Sequence, residues 1–129
     1  MADESCCTHH DAKRLINLKA CDMFNIKLGK SGGIFDALKI ISLAEKAKMK
    51  MQMGGFTESK LGMTAFAHLA LCSDNIVFYD FDTPLMFTSD PVSGGITYHE
   101  NGEVRVPETP GLGAWIEEEK LNAAEHLIV

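Results

Sequence analysis

The chain has 129 residues, enough for one modest core, and its 46% hydrophobic and 23% charged content is that of a globular sequence rather than a disordered one. A formal net charge of −6 leaves no basic stripe of the kind that nucleic-acid binding requires. No apolar run approaches the ~18–20 residues of a membrane span, and Met1-Ala2-Asp3-Glu4-Ser5 is not a charged-then-apolar leader. The cysteines at positions 6, 7, 21 and 72 have no framework spacing, so reduced thiols and a cytoplasmic location are expected.

Taken in order, residues 1–5 read as the tail of a strand. Thr8, with Asp11 three residues on, can cap a helix from His9 to Leu18, whose apolar positions are Ala12, Leu15, Ile16 and Leu18. A buried strand Met23–Leu28 follows and breaks at Lys30-Ser31-Gly32-Gly33. From Ile34 to about Lys48 the apolar residues Ile34, Leu38, Ile41 and Ala44 share one helical face, and Lys46 and Lys48 suit the negative end of its dipole. Met49–Met53 is a short strand closed by Gly54-Gly55. The segment from about Ser59 to Leu71 predicts a helix apolar nearly all round, hence buried on most sides. Ile76–Tyr79 is a further strand, ending in Asp80-Phe81-Asp82-Thr83-Pro84.

This alternation of strand and helix implies parallel strands joined by right-handed crossovers. Beyond it, residues 94–99 and 103–106 flank Glu100-Asn101-Gly102, a hairpin signal because Asn-Gly suits a tight turn. A loop through Pro107, Pro110, Gly111 and Gly113 leads to an expected terminal helix from Ala114 to about His126. A complete α/β barrel takes ~250 residues and eight strands, so the expected fold is the C-terminal half of a TIM-type (β/α) barrel. It would run from the end of strand 5 through strand 8, with residues 1–93 as the partial barrel and 94–129 as a hairpin and tail of the same domain.

Asp3-Glu4, Lys27, Gly54-Gly55-Phe56-Thr57 and Asp80-Phe81-Asp82 each follow directly on a strand. In a parallel barrel they would converge on one rim, where such folds carry their chemistry. On local sequence alone Lys27 can equally be a solvated loop cation, and Asp3 an exposed acid near a helix start. Cys6-Cys7-Thr8-His9-His10 crowds its soft ligands onto adjacent positions, unlike the spaced pairs of zinc sites. His68 on the apolar helix reads as a packed residue. Lys30-Ser31-Gly32-Gly33 lacks the full phosphate-loop pattern.

The run Ala2-Asp3-Glu4-Ser5, with Asn25-Ile26-Lys27-Leu28 and Lys30-Ser31-Gly32-Gly33-Ile34, resembles the enolase superfamily, muconate-lactonizing subgroup. Glu58-Ser59-Lys60-Leu61-Gly62, Asp80–Met86 and Gly94-Gly95-Ile96-Thr97-Tyr98 look specifically like the dipeptide epimerases, over about Met1 to Gly113. The resemblance implies removal of a proton next to a carboxylate, with bound Mg²⁺ stabilising the charge that develops. It implies Asp3 as a metal ligand, Lys27 as a catalytic lysine with a lowered pKa, and Asp80 and Asp82 as the holders of a substrate ammonium group. Gly55, Phe56 and Thr57 would line the substrate. Many relatives carry Met where this chain has Phe56, so the pocket would differ in shape. Lys30 is expected to be solvated.

The resemblance also implies a second catalytic lysine and two further metal acids that have no counterpart here. The expectation is therefore the C-terminal part of a dipeptide epimerase, inactive by itself, whose partners are a dipeptide and either the missing N-terminal half of the barrel or further copies of the chain. A cycloisomerase or succinylbenzoate-synthase-like enzyme and a non-catalytic, self-associating half-barrel are the competing readings. Asp80 and Asp82 argue against the first of these, whose substrates carry no ammonium group.

Overall fold

The computed structural model describes residues 1–124. At its centre lie three parallel strands, β1 (Met23–Ile26), β2 (Lys50–Met53) and β3 (Ile76–Tyr79), hydrogen-bonded in that order. Ala2 extends the sheet by one parallel bridge to Phe24. The Ala2 amide donates to the Met23 carbonyl at 2.8 Å, and the Asn25 amide donates to the Ala2 carbonyl at 2.8 Å. Helices α1 (His9–Leu18), α2 (Ile34–Lys46) and α3 (Lys60–Ala70) connect these segments as expected, within one or two residues at each end. Phe24, Ile26, Met51 and Met53 from the sheet bury against Ile40 and Ile41 of α2 and against Met63 and Phe66 of α3. Burial of such side chains contributes roughly 1.5–3 kcal/mol each, and this is what holds the helices on the sheet.

Local chemistry sets the boundaries. Thr8 and Asp11 form the reciprocal capping box at the start of α1. Strand β1 stops at Ile26, two residues short of the expected Leu28. The Lys27 carbonyl is taken by the amides of Lys30 and Ser31, at 3.2 and 2.9 Å, and this turn removes it from the ladder.

Downstream, β5 (Thr97–Tyr98) and β6 (Val104–Arg105) make the expected antiparallel hairpin. Asn101 and Gly102 turn between them at φ 64° and 77°, the left-handed region that this residue pair tolerates. The terminal segment departs from expectation. Ala114–Ile116 is not helical but forms β7, antiparallel to β4 (Val92–Gly94), and only Glu118–Asn122 is helix (α4). The pairing of Trp115 with Ser93, 22 positions apart by number, is a non-local contact that helical propensity does not register. Ala123 and Ala124 leave the helix in a turn, and the last two residues of the expected helix, Glu125 and His126, lie outside the described residues. Ile96 is fully buried, and Tyr98, Val104 and Val106 pack on the same core as the strands and helices.

Candidate active site

The parallel register brings the strand-end residues to one rim. Asp3 follows the Ala2 bridge and Lys27 follows β1. The Gly54 amide donates to the Ile26 carbonyl at 2.8 Å, and the Asp80 amide to the Met53 carbonyl at 2.9 Å, so each strand end is tied to its neighbour.

Asp3 and Lys27 are in contact, with Nζ 3.2 Å from Oδ2, and Glu4 Oε1 lies 3.5 Å from the same ammonium. Asn25, two residues before Lys27 and therefore on its face of the strand, donates its side-chain amide to Asp3 Oδ2 at 2.9 Å. Lys30 corrects an expectation. Far from being solvated, its side chain is only 6% exposed, and its ammonium lies 2.9 Å from Asp3 Oδ1. It also donates to the Asp3 carbonyl at 2.5 Å and the Cys6 carbonyl at 3.4 Å. The turn after Lys27 folds back far enough to lay Lys30 over the first loop.

These contacts set the charges. Burial works against ionised Asp3, but hydrogen bonds from Lys30, Asn25 and Lys27 outweigh it and hold the carboxyl below its usual range. Burial likewise pulls Lys27 down. The hydrogen bond and charge of Asp3, with Glu4 added, push it above its ordinary value instead, opposite to the lowering expected of a base. As it stands, Lys27 is an ammonium.

The loop after β2 covers this corner. The Phe56 ring lies over Lys27 with its centroid 4.6 Å from Nζ, a cation–π contact, and 43% of the residue is exposed. Its amide donates to the Glu58 carboxylate at 2.5 Å. Glycine is required just before it. A Cβ on Gly54 would stand 2.4 Å from Asn25 Oδ1, and one on Gly55 2.6 Å from Met63 Cε and 3.3 Å from the Asp80 carbonyl. Thr57 lies exposed in the bend that follows.

Across the rim, β3 ends at Tyr79, and Asp82 turns into αR backbone (φ −87°, ψ −16°) ahead of a 3-10 turn over Thr83–Met86. Asp82 is thus not extended as expected, yet its carboxyl lies near enough to Asp80 to act on it. Burial first, then hydrogen bonding to Asp82 and its charge, raise the Asp80 pKa, while the Lys27 charge acts in the opposite sense. Thr83 is buried and donates its hydroxyl to the Glu58 carbonyl at 3.1 Å, joining this loop to the one after β2.

Asp3 and Glu4 offer hard oxygen donors of the kind Mg²⁺ takes. Among the described residues no group of three or more carboxylate, imidazole or thiol side chains comes together. Cys6, Cys7, Cys21 and Cys72 are free thiols. Sequence reasoning missed Asn25, whose alternation with Lys27 was the available signal, and dismissed Lys30.

The enolase C-terminal domain-like family matches residues 1–120. The chain belongs to that family. It is 58% identical over its whole length to a D-Ala-D/L-Ala epimerase of Cytophaga hutchinsonii, of which it covers 35%. It is 44% identical over 88% of its length to an L-Ala-D/L-Glu epimerase of Bacillus subtilis, of which it covers 31%. The crystal structure of a dipeptide epimerase from Cytophaga hutchinsonii, complexed with Mg and the dipeptide D-Ala-L-Val, superimposes with a TM-score of 0.94 at 60% identity. That match covers 97% of this chain and 34% of the other. This member of the enolase C-terminal domain-like family is therefore homologous to dipeptide epimerases and spans about a third of the length of the curated relatives it matches. None of its described helices is long and apolar enough to cross a membrane.

Proposed function

We propose that the chain supplies the last strands of a TIM-type barrel in a magnesium-dependent dipeptide epimerase, with Ala2, β1, β2 and β3 as barrel strands 5 through 8. The observation that carries this reading is one rim with opposite ends. A lysine paired with an acid sits at one end, and two carboxylates that pair with no cation among the described residues sit at the other. A dipeptide has the same polarity, a carboxylate at one terminus and an ammonium at the other.

In this reading Asp80 and Asp82 receive the ammonium, and the C-terminal residue of the dipeptide lies toward Lys27. Lys27 Nζ moves a proton to or from the carbon next to the substrate carboxylate. The ammonium form that the Asp3 and Glu4 charges favour is the donor, and loss of that proton makes the base. Asp3 would hold Mg²⁺, which when bound offsets the second negative charge that develops on the substrate carboxylate. Asn25 and Lys30 fix the direction of the Asp3 oxygens. Gly55, Phe56 and Thr57 border the substrate, and Phe56 screens the Lys27 corner from water. Inversion also needs a proton-transfer group on the opposite face, proposed to come from the part of such an enzyme that this chain does not span.

The test is a dipeptide library incubated in D₂O with Mg²⁺ and the full-length protein, read by mass. The expected result is one deuterium gained at the C-terminal residue of dipeptides with a free amine. Exchange confined to substrates lacking an amine, or none with any dipeptide, overturns the reading.

A further inference from the structure

The Asp80-Phe81-Asp82 segment leaves the sheet after the Asp80 amide, which donates to the Met53 carbonyl at 2.9 Å, yet its two carboxyls must be held at one spacing to share one cation. Three further ties hold the segment beyond that point. The Phe81 ring turns inward, edge-on to Phe66 at 6.1 Å between centroids and tilted against Tyr79 at 5.7 Å. The Leu85 amide donates to the Asp82 carbonyl at 2.8 Å. The third tie comes from the hairpin. The Tyr98 hydroxyl donates to the Phe81 carbonyl at 2.5 Å, a contact between residues 17 apart in sequence.

The hairpin is itself anchored. Ile96 is buried, and its amide donates at 3.0 Å to the Thr64 hydroxyl on α3, which in turn donates to the Lys60 carbonyl at 2.7 Å. Tyr98 pairs with Val104 in the β5–β6 ladder. A continuous path of hydrogen bonds and packing therefore runs from α3 through Ile96 and Tyr98 to the carbonyl between the two aspartates. Burial and the charges of Asp82 and Asp90 push the phenol up to about 12, so it remains a donor throughout the ordinary pH range.

We propose that Tyr98 is a positioning residue for the Asp80–Asp82 pair, its hydroxyl clamping the Phe81 carbonyl so that both carboxylates face a single ammonium group. It acts through the Phe81 carbonyl. The inference rests on the proposed reading of that pair as an ammonium site, and it adds a specific role for a hairpin outside the parallel sheet. Loss of the hydroxyl frees the carbonyl and with it the relative orientation of the two carboxylates, while the Phe ring keeps the hairpin packed.

The experiment compares Tyr98→Phe with the unaltered full-length protein on two substrates. One is a dipeptide with a free amine; the other is its des-amino analogue, which keeps the reacting C–H and the carboxylate. The expected result is a KM for the amine-bearing dipeptide raised about tenfold, with kcat within about twofold, and no change for the analogue. A merely structural tyrosine would lower the melting temperature and move both substrates alike, and that outcome overturns the proposal. So does a KM unchanged for the amine-bearing dipeptide. Asp82→Asn, run in parallel, separates the two claims. If Asp82→Asn raises that KM and Tyr98→Phe does not, the clamp alone is wrong. If Asp82→Asn also leaves it unchanged, the ammonium reading fails and the clamp with it.

Discussion

The two ends of the rim are built by opposite means. At the Asp3 end every charge is answered: two lysines and an asparagine converge on one carboxylate, and an aromatic ring lies over one of the lysines. At the Asp80 end two carboxyls lie together, and burial first, then hydrogen bonding to Asp82 and its charge, raises the Asp80 pKa. A closed ion cluster resists rearrangement, whereas a frustrated acidic pair gains most when a cation arrives. The contrast marks the first end as the place where geometry is preset. In the proposed reading the second is where a ligand's charge would be recognised.

The sharpest way to break this contrast is Lys27→Ala. In the full-length protein it should slow α-proton exchange into a dipeptide in D₂O about 10³-fold, as loss of a proton-transfer group does. An undiminished rate would reduce Lys27 to a counter-ion of Asp3. Asp82→Asn comes next, with a KM for amine-bearing dipeptides up about 30-fold, the scale for losing one member of a charged contact. Kinetics on amine and des-amino substrates read this directly. Lys30→Met should lower stability by about 2 kcal/mol in urea unfolding, because it leaves the Asp3 and Cys6 carbonyls short of a donor. A neutral effect would return Lys30 to the solvated role that its sequence suggested.

That sequence displayed the parallel strands, the three long helices and the capping box, because periodicity, Thr8 and the glycine turns act within a few residues of one another. It displayed Lys27 and the aspartates as strand-end groups for the same reason. It did not display the burial of Lys30, which depends on a turn folding across a loop 24–27 positions away. Nor did it display β7, whose partner is β4, or the tyrosine on the Phe81 carbonyl. Local pattern reports what an element is. It cannot report which distant element completes it.

A smaller effect tests the crowding of the first end. Gly54→Ala places a methyl against Asn25, which is buried and cannot swing aside. About 1–2 kcal/mol of stability should be lost, measurable as a lower urea midpoint, and the Asn25 contact to Asp3 should loosen. Smallest of all is the pH response, and its sign differs between the two ends. The raised pKa of Asp80 means that the folded protein holds that proton where the unfolded chain has released it, so stability from this end rises as pH falls through the folded value. The lowered pKa of Asp3 has the reverse consequence: its contribution is present above the ordinary carboxyl value and is lost only at more acid pH. Melting curves across acid pH for the unaltered protein and Asp80→Asn should show the first trend only in the former.

The side chain of Lys30 has a mechanical corollary. Its ammonium is fastened to the Asp3 and Cys6 carbonyls and lies 2.9 Å from the Asp3 carboxylate, so it ties the loop after Ala2 to the turn after β1. How long the carboxylate stays in place is set in part by the residence of one lysine.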